Sequence, residues 1–143
     1  MSDFKNYDPA LVMVTFAGIP IRGFTDGSSI KVERAEDAFS MKIGALGDQT
    51  RIKSRNRSGS VTVTLLGASP SNDELATRAD LDELDGSGSG PLLLKDLNGT
   101  TFAEAPNAWI KKKPDAEYGQ EPGDREWIID CGELIYYPGG ALT

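Results

Sequence analysis

The chain has 143 residues, with 22 acidic against 15 basic side chains, a formal net charge of −7, no histidine and one cysteine. Without histidine there is no Ser-His-Asp or Cys-His nucleophile, no HExxH zinc site and no group that titrates near neutrality unperturbed. A single cysteine forms neither an intrachain disulfide nor a thiolate metal site, and the acidic balance argues against a general nucleic-acid binder, whose affinity comes from Lys and Arg on phosphates.

One domain over residues 1–143 is expected at this length, with a core of useful size. The opening MSDFKNYDPA has no apolar signal-peptide core, and the longest apolar runs are four residues, such as 11–14 and 134–137. The chain is therefore expected to be soluble, unexported by the usual signal and without a membrane partner.

Short apolar stretches of period two, separated by 16 Gly and 8 Pro, predict a mainly β domain with one helix. Residues 11–16 and 19–24 read as a hairpin around Ala17-Gly18. Residues 30–34 and 39–44 alternate apolar and polar side chains, predicting two half-buried strands with one wet face each. From 44 to 59 the apolar signal nearly vanishes, which predicts a long extended loop carrying Arg51, Lys53, Arg55 and Arg57 at every second position. Residues 61–66, Val-Thr-Val-Thr-Leu-Leu, form a β-branched strand.

The helix is predicted over 69–85. Ser69 before Pro70 fits an N-cap with proline at the first helical position, and Ser71 with Glu74 is a competing capping box. Leu75 and Ala79 share one face while Leu81 and Leu84 fall on another, so the helix should flank the sheet structure. Gly86-Ser-Gly-Ser-Gly90 ends it as a flexible connector. Strands are then expected over 91–97, 100–104, 108–112 and 125–137, with Asn98-Gly99 as a hairpin turn and 115–124 as an acidic loop. The total is roughly eight strands and one helix.

No motif carries a reaction. The run Asp80-Leu-Asp-Glu-Leu-Asp85-Gly86 fails as a calcium loop, because Leu84 holds the fifth position and Pro91 the twelfth. The Gly86–Gly90 run lacks the Lys-Ser or Lys-Thr of a phosphate loop, and the sequons at Asn56 and Asn98 read as chance matches. Cys131, Trp109 and Trp127 sit in apolar strands as packing residues, and nothing in the carboxylate spacing selects a catalytic pair. The expectation is a protein with no enzymatic activity, no cofactor and no metal.

Charge is segregated. Residues 42–57 hold five cations against Asp48, a net +4, whereas residues 71–90 hold six carboxylates against Arg78, a net −5. This fits either two solvated faces or a basic arm on one subunit meeting an acidic surface on the next, with Arg51, Lys53, Arg55 and Arg57 on one side of the arm and Asp80, Asp82, Glu83 and Asp85 as acceptors.

The ordered set Arg57-Ser-Gly-Ser-Val-Thr-Val-Thr-Leu-Leu66, Ser69-Pro-Ser-Asn-Asp73, Pro91-Leu-Leu-Leu-Lys-Asp-Leu97, Ala108-Trp-Ile-Lys-Lys112 and Gly123-Asp-Arg-Glu-Trp127 resembles the tail tube proteins of contractile-tailed bacteriophages, over about residues 7–140. The resemblance implies a β-sandwich or barrel-like subunit with one flanking helix and a long loop that reaches a neighbour. It implies homohexameric rings stacked into the inner tube of a virion tail, assembled in the host cytoplasm. Implied partners are further copies of the chain, the tail sheath protein, and the tape measure and baseplate proteins. DNA would pass through without specific binding, which the acidic balance suits. The alternative reading is a monomeric β-sandwich module binding carbohydrate or another ligand, which requires an exposed aromatic platform.

Overall fold

The structure, a computed structural model, describes residues 5–27 and 29–142. Among these, ten strands and one α-helix follow in the order β1 (Val12–Phe16), β2 (Ile19–Pro20), β3 (Ile30–Arg34), β4 (Phe39–Ile43), β5 (Gln49–Lys53), β6 (Gly59–Leu65), α1 (Ser71–Asp85), β7 (Gly90–Asp96), β8 (Phe102–Lys112), β9 (Arg125–Cys131) and β10 (Ile135–Tyr137). A short 3-10 turn, Pro9–Leu11, precedes β1.

Eight strands form one antiparallel sheet in the order β2-β1-β7-β8-β9-β6-β3, with β10 also pairing β8, while β4 and β5 form a separate two-stranded sheet. The period-two pattern fixes which side chains turn inward. Val61, Val63 and Leu65 of β6 lie on the same face as Ile129 and Trp127 of β9, and all five are buried. Val14, Phe16, Leu92, Leu94, Ala103, Ala105, Ala108 and Ile110 complete the core from β1, β7 and β8.

β8 is irregular on both sides. Its first half pairs with β7 and β10, its second half with β9, and its register shifts on both sides. Residues 100–104 and 108–112, expected as two strands, are this one long strand, running through Pro106, where the register against β7 shifts; the register against β9 shifts between Ile110 and Lys112. Conversely 125–137 is two strands, because Gly132 and Glu133 turn the chain and Leu134 is anchored by donating its N–H to the Arg57 carbonyl at 2.8 Å. The first hairpin turns where expected, Ala17 and Gly18 both having positive φ (52° and 81°), the combination a tight two-residue hairpin turn demands. Its second arm leaves β1 after two residues and crosses to β6. Ile21 N–H donates to Val14 at 2.9 Å, Thr25 N–H donates to Thr64 at 3.1 Å, and Phe24 bridges to Leu65. That crossing gives the sheet its barrel-like closure.

Helix α1 starts as the first of the two readings required. Pro70 has helical φ and ψ (−65°, −21°), and Ser69 Oγ accepts from the Ser71 N–H at 3.2 Å. The Ser71 hydroxyl accepts the Arg22 N–H at 2.9 Å, and Ser69 Oγ donates to the Arg22 carbonyl at 2.6 Å, so the helix start also pins the β1-to-β6 crossing. Leu75 and Ala79 enter the core, Leu81 and Leu84 stay exposed, and Trp127 Nε1–H donates to Asn72 Oδ1 at 2.9 Å. Gly86 takes a left-handed conformation (φ 76°) as the C-cap. The connector after it is held in place: a Cβ on Gly88 would run into the Arg78 carbonyl, and Arg78 donates to the Ser89 carbonyl at 3.1 Å.

Candidate functional site

The feature that stands out from the body is the β4–β5 hairpin. Instead of one half-buried strand followed by a loop over 44–59, the chain forms two paired strands whose ten residues are all exposed. The two-residue period of the cations was itself the mark of β5, and Ile52 was its only apolar residue. At the tip, Gly44 N–H donates to Asp48 at 2.7 Å and Gly47 N–H to Gly44 at 3.1 Å, with Gly47 at φ 90° and Leu46 projecting into water. At the base, Ser54 N–H donates to the Ala38 carbonyl at 2.8 Å and Ser54 Oγ to Glu36 Oε2 at 3.1 Å.

The register decides what each face offers. Phe39 opposes Lys53, Met41 opposes Arg51, and Ile43 opposes Gln49, so three large apolar side chains share one face with two cations. The Arg51 guanidinium lies over the Phe39 ring, 4.2 Å from its centroid. Ser40, Lys42, Thr50 and Ile52 form the other face. Arg55 and Arg57 lie beyond the end of β5, exposed in a segment shaped by Asn56 accepting from Ser58 N–H and Oγ. The four cations therefore do not line one side of an arm; only Arg51 and Lys53 do. Phe39, Met41 and Ile43 are the residues missed by assigning this strand a buried face. Among the described residues β4 and β5 pair only with each other, and an isolated two-stranded hairpin is marginal in water.

The acidic residues occupy the C-terminal half of α1 and its end. Lys113, just past β8, makes an ion pair with Asp80 and reaches Glu83 at 3.8 Å, so two expected acceptors already face a cation of their own chain. The Asp80 hydrogen bond raises the Lys113 pKa above its ordinary value. Asp85 Oδ1 accepts the Ser87 N–H at 3.0 Å, and hydrogen bonds from the Ser87 side chain and backbone lower its pKa. Asp82 is half-buried on the same helix. Among the described residues no group of three or more Cys, Asp or Glu could hold a metal ion. Cys131 is buried in β9, and desolvation lifts its thiol pKa to about 11, which keeps it protonated and unreactive. Trp127 is buried as expected, whereas Trp109 is 36% exposed beside Gly132.

The fold, an antiparallel sheet with one flanking helix and a projecting hairpin, is similar to that of solved chains from contractile injection systems. The anti-feeding prophage cap that terminates its tube matches with a TM-score of 0.66 at 10% identity, covering 97% of this chain and 95% of that one. The sheath/tube terminator of an extracellular contractile injection system in its extended state gives 0.68 at 12% identity, over 95% and 99%. The sheath-tube complex of that system gives 0.64 at 12% identity, over 93% and 92%. Residues 16–137 match the family described as "Bacteriophage PhiTE tail tube protein", and the chain belongs to that family: it is a structural protein of the phage tail. "Structural protein ORF10" of Pseudomonas phage KPP10 is 29% identical over 122 residues, covering 84% of this chain and 70% of that protein.

Proposed function

We propose that the chain acts by self-assembly, forming hexameric rings that stack into the inner tube of a contractile tail and serve as the conduit for DNA ejection. The observation that carries this reading is the β4–β5 hairpin, whose apolar residues have no place to be buried in their own subunit. A monomer gains nothing from holding Phe39, Met41 and Ile43 in water on strands with unpaired edges, whereas a neighbour satisfies both. The sheath-tube complex among the structural neighbours supports a sheath as the outer partner; tape measure and baseplate proteins are further partners of the same tail reading. The net charge of −7 suits a passage that repels phosphates instead of gripping them. No reaction is assigned, in keeping with a structural family.

The inter-subunit contacts fall first on Arg51 and Lys53, which share the apolar face, then on Arg55 and Arg57 at the hairpin base. Of the acidic set, Asp82 and Asp85 have no lysine partner among the described residues and remain as acceptors for Arg55 and Arg57; Asp80 and Glu83 must exchange or share Lys113. For the ligand-binding alternative, Trp127 is buried and donates its indole N–H to Asn72, which leaves the partly exposed Trp109 as its tryptophan platform. Negative-stain microscopy of the purified chain over rising concentration tests the assignment. Rings or tubes are expected, and monodisperse monomers persisting at high concentration would refute it.

A further inference from the structure

An open groove of roughly 680 Å3 lies where the chain crosses from β1 to β6. Its apolar lining is Val12, the buried core residue Leu94, and Phe24, Ile30, Val32 and Tyr136, which pack against the core. Two carboxylates, Asp26 and Asp96, line it, and no lysine or arginine does. One wall is β3, which pairs with β6 on one side and ends the sheet on the other, so that among the described residues its second edge is open. A groove with an apolar floor, a double negative charge and a free strand edge calls for an occupant that is apolar, cationic and extended.

The chain itself carries such a segment. The face of the β4–β5 hairpin that bears Phe39, Met41 and Ile43 also bears Arg51 and Lys53, two cations against the groove's two carboxylates. The hairpin does not occupy its own groove. It departs from the C-terminal end of β3 after Arg34, whereas residues 24–30 put the groove at the N-terminal end, and no residue of the hairpin lines it. Donor and acceptor at opposite ends of one strand make a head-to-tail contact, the kind that propagates from copy to copy.

We infer that the groove between β3, β1 and β7 receives the β4–β5 hairpin of a second copy, seating Phe39, Met41 and Ile43 on its floor and setting Arg51 and Lys53 against Asp26 and Asp96. This rests on the self-assembly reading and adds to it the acceptor surface.

Disulfide trapping tests it. Ser29 lines the groove and Ile43 lies on the docking face. The double variant Ser29→Cys/Ile43→Cys, oxidised under assembling conditions, is expected to give a ladder of dimers, trimers and higher species on a non-reducing gel, while each single variant gives none beyond the dimer. The buried Cys131 contributes no cross-link of its own. Thr25→Cys with Met41→Cys provides a second pair should the first fold poorly. Rings or tubes by microscopy without a ladder from either pair would overturn the groove assignment and leave self-assembly standing. Monomers throughout, with no ladder, would overturn both.

Discussion

Replacing Met41 and Ile43 together by threonine separates the stability of the subunit from the strength of its assembly. Threonine keeps the strand preference of the hairpin, so the change is confined to apolar surface. Each of the two side chains is 60% exposed. Fully burying such a side chain stabilises by about 1.5–3 kcal/mol, so covering the exposed part of each contributes roughly 1–2 kcal/mol. The pair then contributes about 2–4 kcal/mol per contact, and at about 1.4 kcal/mol per factor of ten its loss raises the concentration needed for assembly by roughly 30- to 1,000-fold. Sedimentation velocity across a concentration series reads that midpoint directly. Thermal unfolding of the unassembled subunit should be unchanged within about 0.5 kcal/mol, as expected where neither side chain enters the core. An unchanged assembly midpoint would refute the argument. So would a large fall in the monomer's melting temperature, since it would mean that the hairpin packs on its own body.

Three further outcomes follow from the core and the helix. Leu75→Ala removes a fully buried side chain from α1 and should cost about 2–5 kcal/mol, read as a shift in denaturant midpoint at constant m-value. Trp127→Phe deletes the donor to Asn72 Oδ1 and should cost about 1–3 kcal/mol; in an Asn72→Ala background the loss should shrink, which a double-mutant cycle measures. The Cys131 thiol, lifted from 9.0 to about 11, stays protonated in the fold while the unfolded chain ionises first. Stability is therefore held below pH 9 and falls between 9 and about 11 by about 2–3 kcal/mol, and Cys131→Ala should flatten that alkaline limb in denaturant titrations.

Sequence patterning located most of the sheet because burial there is one-sided. In β6 every second residue is buried, and the Val-Thr-Val-Thr alternation reports that directly. The helix start was legible for a similar reason, since Ser69-Pro70 admits few local structures. The hairpin defeated the same logic. Phe39, Met41 and Ile43 alternate with polar residues as a half-buried strand does, yet the chain provides no core beneath them, and alternation reports a two-faced strand without saying whose surface covers it. β8 was split for a different reason: Pro106 interrupts a pattern that the strand tolerates because its register against β7 shifts there. The charges were readable as segregated regions, but the Lys113 pairing that engages Asp80 and Glu83 spans some thirty residues and leaves no local trace.

The groove also imposes an order on synthesis. Its lining draws on Phe24 and Val32 near the start of the chain, Leu94 and Thr101 in the middle, and Tyr136 close to the end. The hairpin's strand pairing joins residues no more than fourteen apart and can form soon after it leaves the ribosome, whereas the acceptor needs sheet pairings that wait for β9 and β10. A growing or truncated chain can thus offer a hairpin before it can accept one. The finished polypeptide is the first species with both halves of the contact, and propagation from copy to copy begins only with complete subunits.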